Sequence, residues 1–161
     1  MGVGKGTTAR ALAKAYNLYN IDTDDLIESK ENRKIKKIFA EEGEAHFRAL
    51  EQESADWIEN HVTGTIISCG GGFYKIKNLS KLGTIVLLDA SYEWIYNRIL
   101  TSENPEKKLK KRPLFSQPKE AKKLYNERET AYKSIADIVI NVEGKCLEKV
   151  IKEIAKKSKI V

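Results

Sequence analysis

Met1-Gly-Val-Gly-Lys-Gly-Thr-Thr-Ala-Arg10 opens the chain, and its reading governs everything after it. Gly2, Gly4 and Gly6 surround one lysine, Lys5, and a run rich in good helix formers, Thr8 to Ala15, follows at once. A glycine-rich turn feeding a helix aims several unpaired backbone N–H groups at one point, on the positive end of the helix dipole. Such a point binds anions, and a lysine in the turn adds a mobile cation for a terminal phosphate. A turn that merely leads into a helix is the plain alternative, and it leaves the lysine without a role.

The pattern matches the second half of a Walker A loop, G-x-x-x-x-G-K-[ST]. The motif's first glycine and the buried strand that leads into the loop would both lie before Met1. The chain as written is therefore expected to begin inside the loop, with an apolar strand encoded in frame upstream. After the lysine stands Gly6, where the motif has the Ser or Thr whose hydroxyl ligates magnesium. Thr7 follows and is a substitute ligand, in the Lys-Gly-Thr order of adenylate kinases.

Composition narrows the class. At 161 residues, 41% hydrophobic and 32% charged, this is one soluble globular domain with no secretory signal and no membrane-length apolar run. Cys69 and Cys146 lie far apart and form no metal-ligand pattern, which points to reduced thiols in cytoplasm. The net charge of +6 suits nucleic acid, an anionic membrane or small anions. The lysines are spread out, concentrating in Lys107-Lys-Leu-Lys-Lys-Arg112 and in the last helix, without an RNA-binding aromatic signature. Small anionic substrates are the preferred reading.

The spacing predicts a helix over 7–16, a strand over 18–21, and a capped helix after Asp22-Thr-Asp-Asp25. A short helix ends near Gly43, and a longer one runs from Glu44 to His61 with Phe47, Leu50, Ser54, Trp57 and Ile58 at helical spacing. Buried strands are expected at 65–68, 84–88 and 137–141, with helices at 91–100, 118–136 and 147–155 and a mobile loop at 101–114. Strands alternating with helices imply an α/β fold with a parallel sheet covered on both faces, its ligands beyond the strands' carboxyl ends.

Four groups carry chemistry. Asp22 and Asp24, two apart on an extended segment, point the same way, one toward magnesium and one toward a substrate hydroxyl; helix capping by Asp22 or Asp25 is the plain alternative. Arg48 either pairs with Glu44 on a solvated helix or serves a ligand. Arg128 falls within the apolar stripe Ala121, Leu124, Tyr125, Tyr132 and Ile135, so it needs an anionic partner, structural or ligand. Gly70-Gly-Gly72 permits close backbone approach to a ligand with free N–H groups, and the lysine-rich loop suits closure over phosphates. His46 and His61 are read as bystanders.

Taken together, the phosphate loop, Asp-Thr-Asp, Phe39-x-x-x-Gly-Glu-x-x-Phe-Arg48, Gly-Gly-Gly, Arg112-Pro-Leu and Arg128-x-x-x-Tyr closely resemble the shikimate kinases over essentially the whole chain. The resemblance implies a three-layer P-loop kinase fold with a central parallel sheet whose first strand is missing from the given chain. It implies one domain over 1–161 with a lid at about 101–116. The reaction would be transfer of the γ-phosphate of ATP to the 3-hydroxyl of shikimate. By the same resemblance, Gly2, Val3, Gly4, Lys5, Gly6, Thr7 and Arg112 would bind ATP, and Lys5, Asp24 and Arg112 would be catalytic. Asp24, Arg48, Gly70, Gly71, Gly72 and Arg128 would bind shikimate, with Thr7 and Asp22 at Mg2+. The implied protein is a cytoplasmic monomer with no nucleic-acid or membrane partner. The adenine-contacting positions are poorly matched at 143–146 and are assigned to no residue. The competing readings are another small-molecule or nucleotide kinase of this fold, a basic nucleic-acid module, and an inactive truncated fragment.

Overall fold

The structure, a computed structural model, describes residues 2–110, 115 and 117–160. It contains α1 (Lys5–Ala15), β1 (Tyr19–Asp22), α2 (Thr23–Glu31), α3 (Ile35–His61), β2 (Thr65–Ser68), β3 (Val86–Asp89), α4 (Tyr92–Leu100), α5 (Pro105–Lys110), α6 (Pro118–Ile135), β4 (Ile138–Asn141) and α7 (Leu147–Ser158). The chain divides into two compact units, one comprising 5–84 with the last residues, the other 1–4 with 85–157.

In the first unit, β1 and β2 run parallel, with Tyr19 opposite Thr65 and Asp22 opposite Ser68. Thr8, Ala9, Leu12 and Ala13 are the buried face of α1, at the i, i+4 spacing of an amphipathic helix. Asn17, in the left-handed conformation, turns the chain out of α1 and into β1. Asn32 ends α2 in the same conformation. The long α3 is two helical segments joined at Gly43 (φ 80°, ψ −178°), the break expected from the sequence. Ile27, Ile38, Phe47 and Leu50 form one core cluster, and Ala55, Ile58, Phe73 and Ile76 another. Trp57, placed on the inner stripe by its spacing, is 44% exposed.

In the second unit, β3 and β4 also run parallel, Val86 opposite Ile138 and Asp89 opposite Asn141. The Asp137 carboxylate accepts from the Ile85 amide at 2.8 Å and anchors the start of this pair. Ser91 caps α4 as expected, its hydroxyl accepting from the Trp94 amide. Tyr92, Tyr96, Phe115 and Tyr125 form an aromatic cluster, and Tyr125 donates to the Ala90 carbonyl at 2.7 Å.

The strands are parallel, as the α/β reading expects, and pair as two two-stranded sheets with no described strand joining them. One expectation changes. The loop expected over 101–114 contains α5, which Pro105 opens at a position where a missing N–H costs nothing. Among the described residues no helix is long and apolar enough to cross a membrane.

Candidate functional site

Lys5 is the first residue of α1 and is exposed, as a lysine serving a ligand must be. The turn before it needs glycine at two places. Gly2 and Gly4 have φ of 68° and 103°, and a Cβ on Gly2 would meet Ile95 Cγ2 at 3.0 Å. A Cβ on Gly4 would stand 3.4 Å from the Arg98 guanidinium. Arg98 is fixed there by donating to the Val3 carbonyl at 3.0 Å and by lying over the Trp94 ring. It is a cation on the turn that the sequence reading did not single out, since a lone Arg late in an amphipathic helix looks like a dipole-complementing charge.

β1 ends at Asp22, whose side chain accepts from the Asp24 amide at 3.0 Å and caps α2. The two carboxylates therefore do not share an extended segment. Asp22 is the N-cap and Asp24 lies in the first helical turn, because capping satisfies an amide that would otherwise be left open. Thr23, between them, is fully buried, and its hydroxyl accepts from the Gly70 amide at 2.9 Å. That bond ties the start of α2 to the glycine segment after β2.

The glycines of that segment are required by neighbours rather than by φ. A Cβ on Gly70 would fall 2.5 Å from Asp24 Oδ1 and 3.4 Å from Glu51 Oε1. One on Gly72 would fall 1.8 Å from Arg48 Nη1. The Gly70 N–H is not free for a ligand, as had been expected, because it is spent on Thr23. Gly70, Asp24, Glu51, Arg48 and Gly72 thus form one contiguous cluster.

Arg48 uses every nitrogen on protein carboxylates. Nε and Nη2 donate to Glu44 Oε1 at 3.0 and 2.8 Å, and Nη1 donates to Glu51 Oε2 at 2.5 Å. The plain i,i+4 pair is present, yet Glu51 is the stronger anchor, since it is only 2% exposed. Its other oxygen, Oε1, is buried with no hydrogen-bond partner among the described residues. Glu51 escaped the sequence reading because a glutamate three residues after an arginine looks like an ordinary helix pair.

Burial, reinforced by the neighbouring Asp22 and Glu51 charges, pushes the Asp24 carboxyl from its ordinary 3.8 up to about 6; Lys5 opposes the rise. A carboxylate poised near neutral pH beside a lysine is the electrostatic signature of a general base or a substrate hydrogen-bond acceptor. Burial also lifts the neighbouring Cys69 thiol to about 12, which leaves it inert.

Arg128 lies half-buried on α6, and no hydrogen bond or ion pair joins it to another described residue. The structural carboxylate that would have accounted for it is not found among those residues. Arg112 lies outside the described residues. His46 is less of a bystander than expected, being 2.7 Å from Glu42. Glu31, Glu42 and His46 bring ligand atoms within 4.8 Å of one another, but the Arg33 guanidinium donates to both carboxylates and already supplies the cation there.

A phosphate-binding turn on a helix, followed by carboxylates at the end of the next strand, defines a phosphotransferase of the P-loop class. Comparison with known proteins narrows the class. The shikimate kinase family model matches residues 1–159. A shikimate kinase of Sulfurihydrogenibium is 37% identical, the match covering 99% of this chain and 93% of the relative. The crystal structure of the Aquifex aeolicus shikimate kinase superposes with a TM-score of 0.78 at 30% identity, over 99% of this chain and 92% of that one. An Acinetobacter baumannii shikimate kinase, solved in complex with shikimate, gives a TM-score of 0.76 at 26% identity, over 98% and 87%. The chain belongs to the shikimate kinase family, whose members are ATP-dependent kinases acting on a shikimate hydroxyl.

Proposed function

We propose that the chain transfers the γ-phosphate of ATP to the 3-hydroxyl of shikimate through the residues gathered between β1, α3 and β2, in a single kinase domain with a lid at about 101–116. The observation that carries this reading is Asp24, held at about 6 against Gly70 and beside Lys5. Asp24 accepts hydrogen bonds from the substrate hydroxyls and takes the proton of the attacking one. The oxygen attacks the γ-phosphorus as the bond to the β-phosphate oxygen breaks, and ADP leaves with the electron pair. Lys5, with the amides of the 2–7 turn, balances the charge that builds on the phosphates. Arg48, oriented by Glu51, binds the shikimate carboxylate with Arg128, and Gly70, Gly71 and Gly72 let the ring approach the backbone. Arg112 closes on the phosphates from the lid.

The donor set fits magnesium in part. Asp22 Oδ2 lies 3.8 Å from the point where a Gly6 Cβ would stand, so a carboxylate oxygen borders the loop where a cation is needed. Such a cation screens the phosphate charge when bound. The reading also supposes a cytoplasmic monomer that uses its basic charge on small anions and not on nucleic acid or membrane. The test is the position of the new phosphate. Phosphorus–proton correlation NMR of the product is expected to place it on the 3-hydroxyl carbon, and a phosphate elsewhere would refute the assignment of the acceptor.

A further inference from the structure

We propose that Asp22 is the only side chain among the described residues that ligates the divalent cation here, and that water fills the place of the loop hydroxyl that Gly6 removes. The inference rests on the kinase reading above. Space for a residue-6 side chain is bounded by Asp22 Oδ2, 3.8 Å from the ideal Cβ, and Arg10 Nη1, 3.3 Å from it. Asp22 commits its Oδ1 to the cap of α2, which leaves Oδ2 facing that space. No ion pair neutralises Asp22 among the described residues.

Thr7 does not replace the missing hydroxyl. Both residues are in α1, and consecutive helical side chains diverge by about 100° around the axis, so residue 7 faces away from the gap that residue 6 would fill. Magnesium tolerates the loss because it usually keeps several waters and needs one or two carboxylates beside the substrate phosphates. The Arg10 guanidinium, bordering the same gap, adds like charge and weakens the cation further. The cation is therefore held chiefly by the nucleotide.

The experiment measures Mn2+ bound to the protein–ADP complex by electron paramagnetic resonance, with ADP affinity determined separately in chelator. Gly6→Ser restores the hydroxyl without backbone strain, since Gly6 does not have a positive φ and its Cβ meets only the movable end of Arg10. It is expected to tighten Mn2+ by on the order of tenfold when read against that variant's own ADP affinity in chelator. Asp22→Asn, which keeps the cap, is expected to lose Mn2+ by a similar factor or more, and Thr7→Val to leave it unchanged. Unchanged Mn2+ affinity in Gly6→Ser would overturn the proposal, as would a loss in Thr7→Val equal to that in Asp22→Asn. Native protein that binds no ADP even in chelator would overturn the kinase reading together with this one.

Discussion

Asp24 gives the residue scale its clearest consequence, because its carboxyl titrates near 6 instead of 3.8. An acid with a raised folded-state pKa stabilises the fold while protonated. That contribution is complete below its ordinary pKa and is lost as pH rises through about 6. Asp24→Asn is therefore expected to gain stability over the native protein between pH 4 and pH 8, by roughly 1–2 kcal/mol after allowance for partial exposure. Urea unfolding at the two pH values checks it, and equal differences at both would refute it. The same ionisation predicts that kcat/KM for shikimate rises with pH through a limb near 6, since the base must be free of its proton. At this scale the sequence named Asp24 and Arg48 but not Glu51. Removing Arg48 strands a carboxylate that is 2% exposed. Arg48→Met should cost about 2–4 kcal/mol, and Arg48→Met with Glu51→Met should recover most of it. Chemical denaturation of the three variants measures the difference.

At the scale of elements, glycines set the geometry in two distinct ways. Gly43 breaks α3 with a backbone conformation that side chains rarely adopt, and nothing lies within 4 Å of its ideal Cβ. Gly43→Ala should therefore cost only the backbone strain, about 1–3 kcal/mol by denaturant titration. Gly72 has ordinary φ, but its missing Cβ leaves room for the Arg48 guanidinium. Gly72→Ala is expected to displace that guanidinium from Glu51, raising the KM for shikimate on the order of tenfold and destabilising the fold in the direction of Arg48→Met, with little change in the KM for ATP. Equal rises in both Michaelis constants would contradict the role given to Arg48. The break at Gly43, the Ser91 cap and the order of strands and helices were legible because each leaves a local signature. The geometry of Asp22 and Asp24 was not. Alternation along a strand suggested that both point one way, whereas capping by Asp22 began the helix at Thr23 and turned Asp24 out of the strand. The contact of Gly72 with Arg48 was equally hidden, because it joins residues 24 apart in sequence, which periodicity does not report.

At the scale of the whole molecule, the net charge of +6 spreads across a surface where many lysines pair locally with glutamates, as Lys133 does with Glu129 and Lys152 with Glu148. Such exposed pairs contribute little stability. Arg128 stands apart from them, half-buried without a described partner. A cation in that state suits a small anionic ligand, and Arg128→Ala is expected to raise the KM for shikimate about tenfold or more while leaving the KM for ATP near native. Sequence alone led to the right family because its motifs extend over the whole chain in a fixed order; which strand pairs with which, β1 with β2 and β3 with β4, was beyond it, since strand pairing is a property of the assembled chain. The central claim is that these residues make one shikimate-phosphorylating enzyme, and ADP release from ATP and magnesium by this chain, with and without shikimate, tests it most directly. Release that depends on shikimate is the predicted result. Release that ignores shikimate, or that requires a different hydroxylated acceptor, would contradict it.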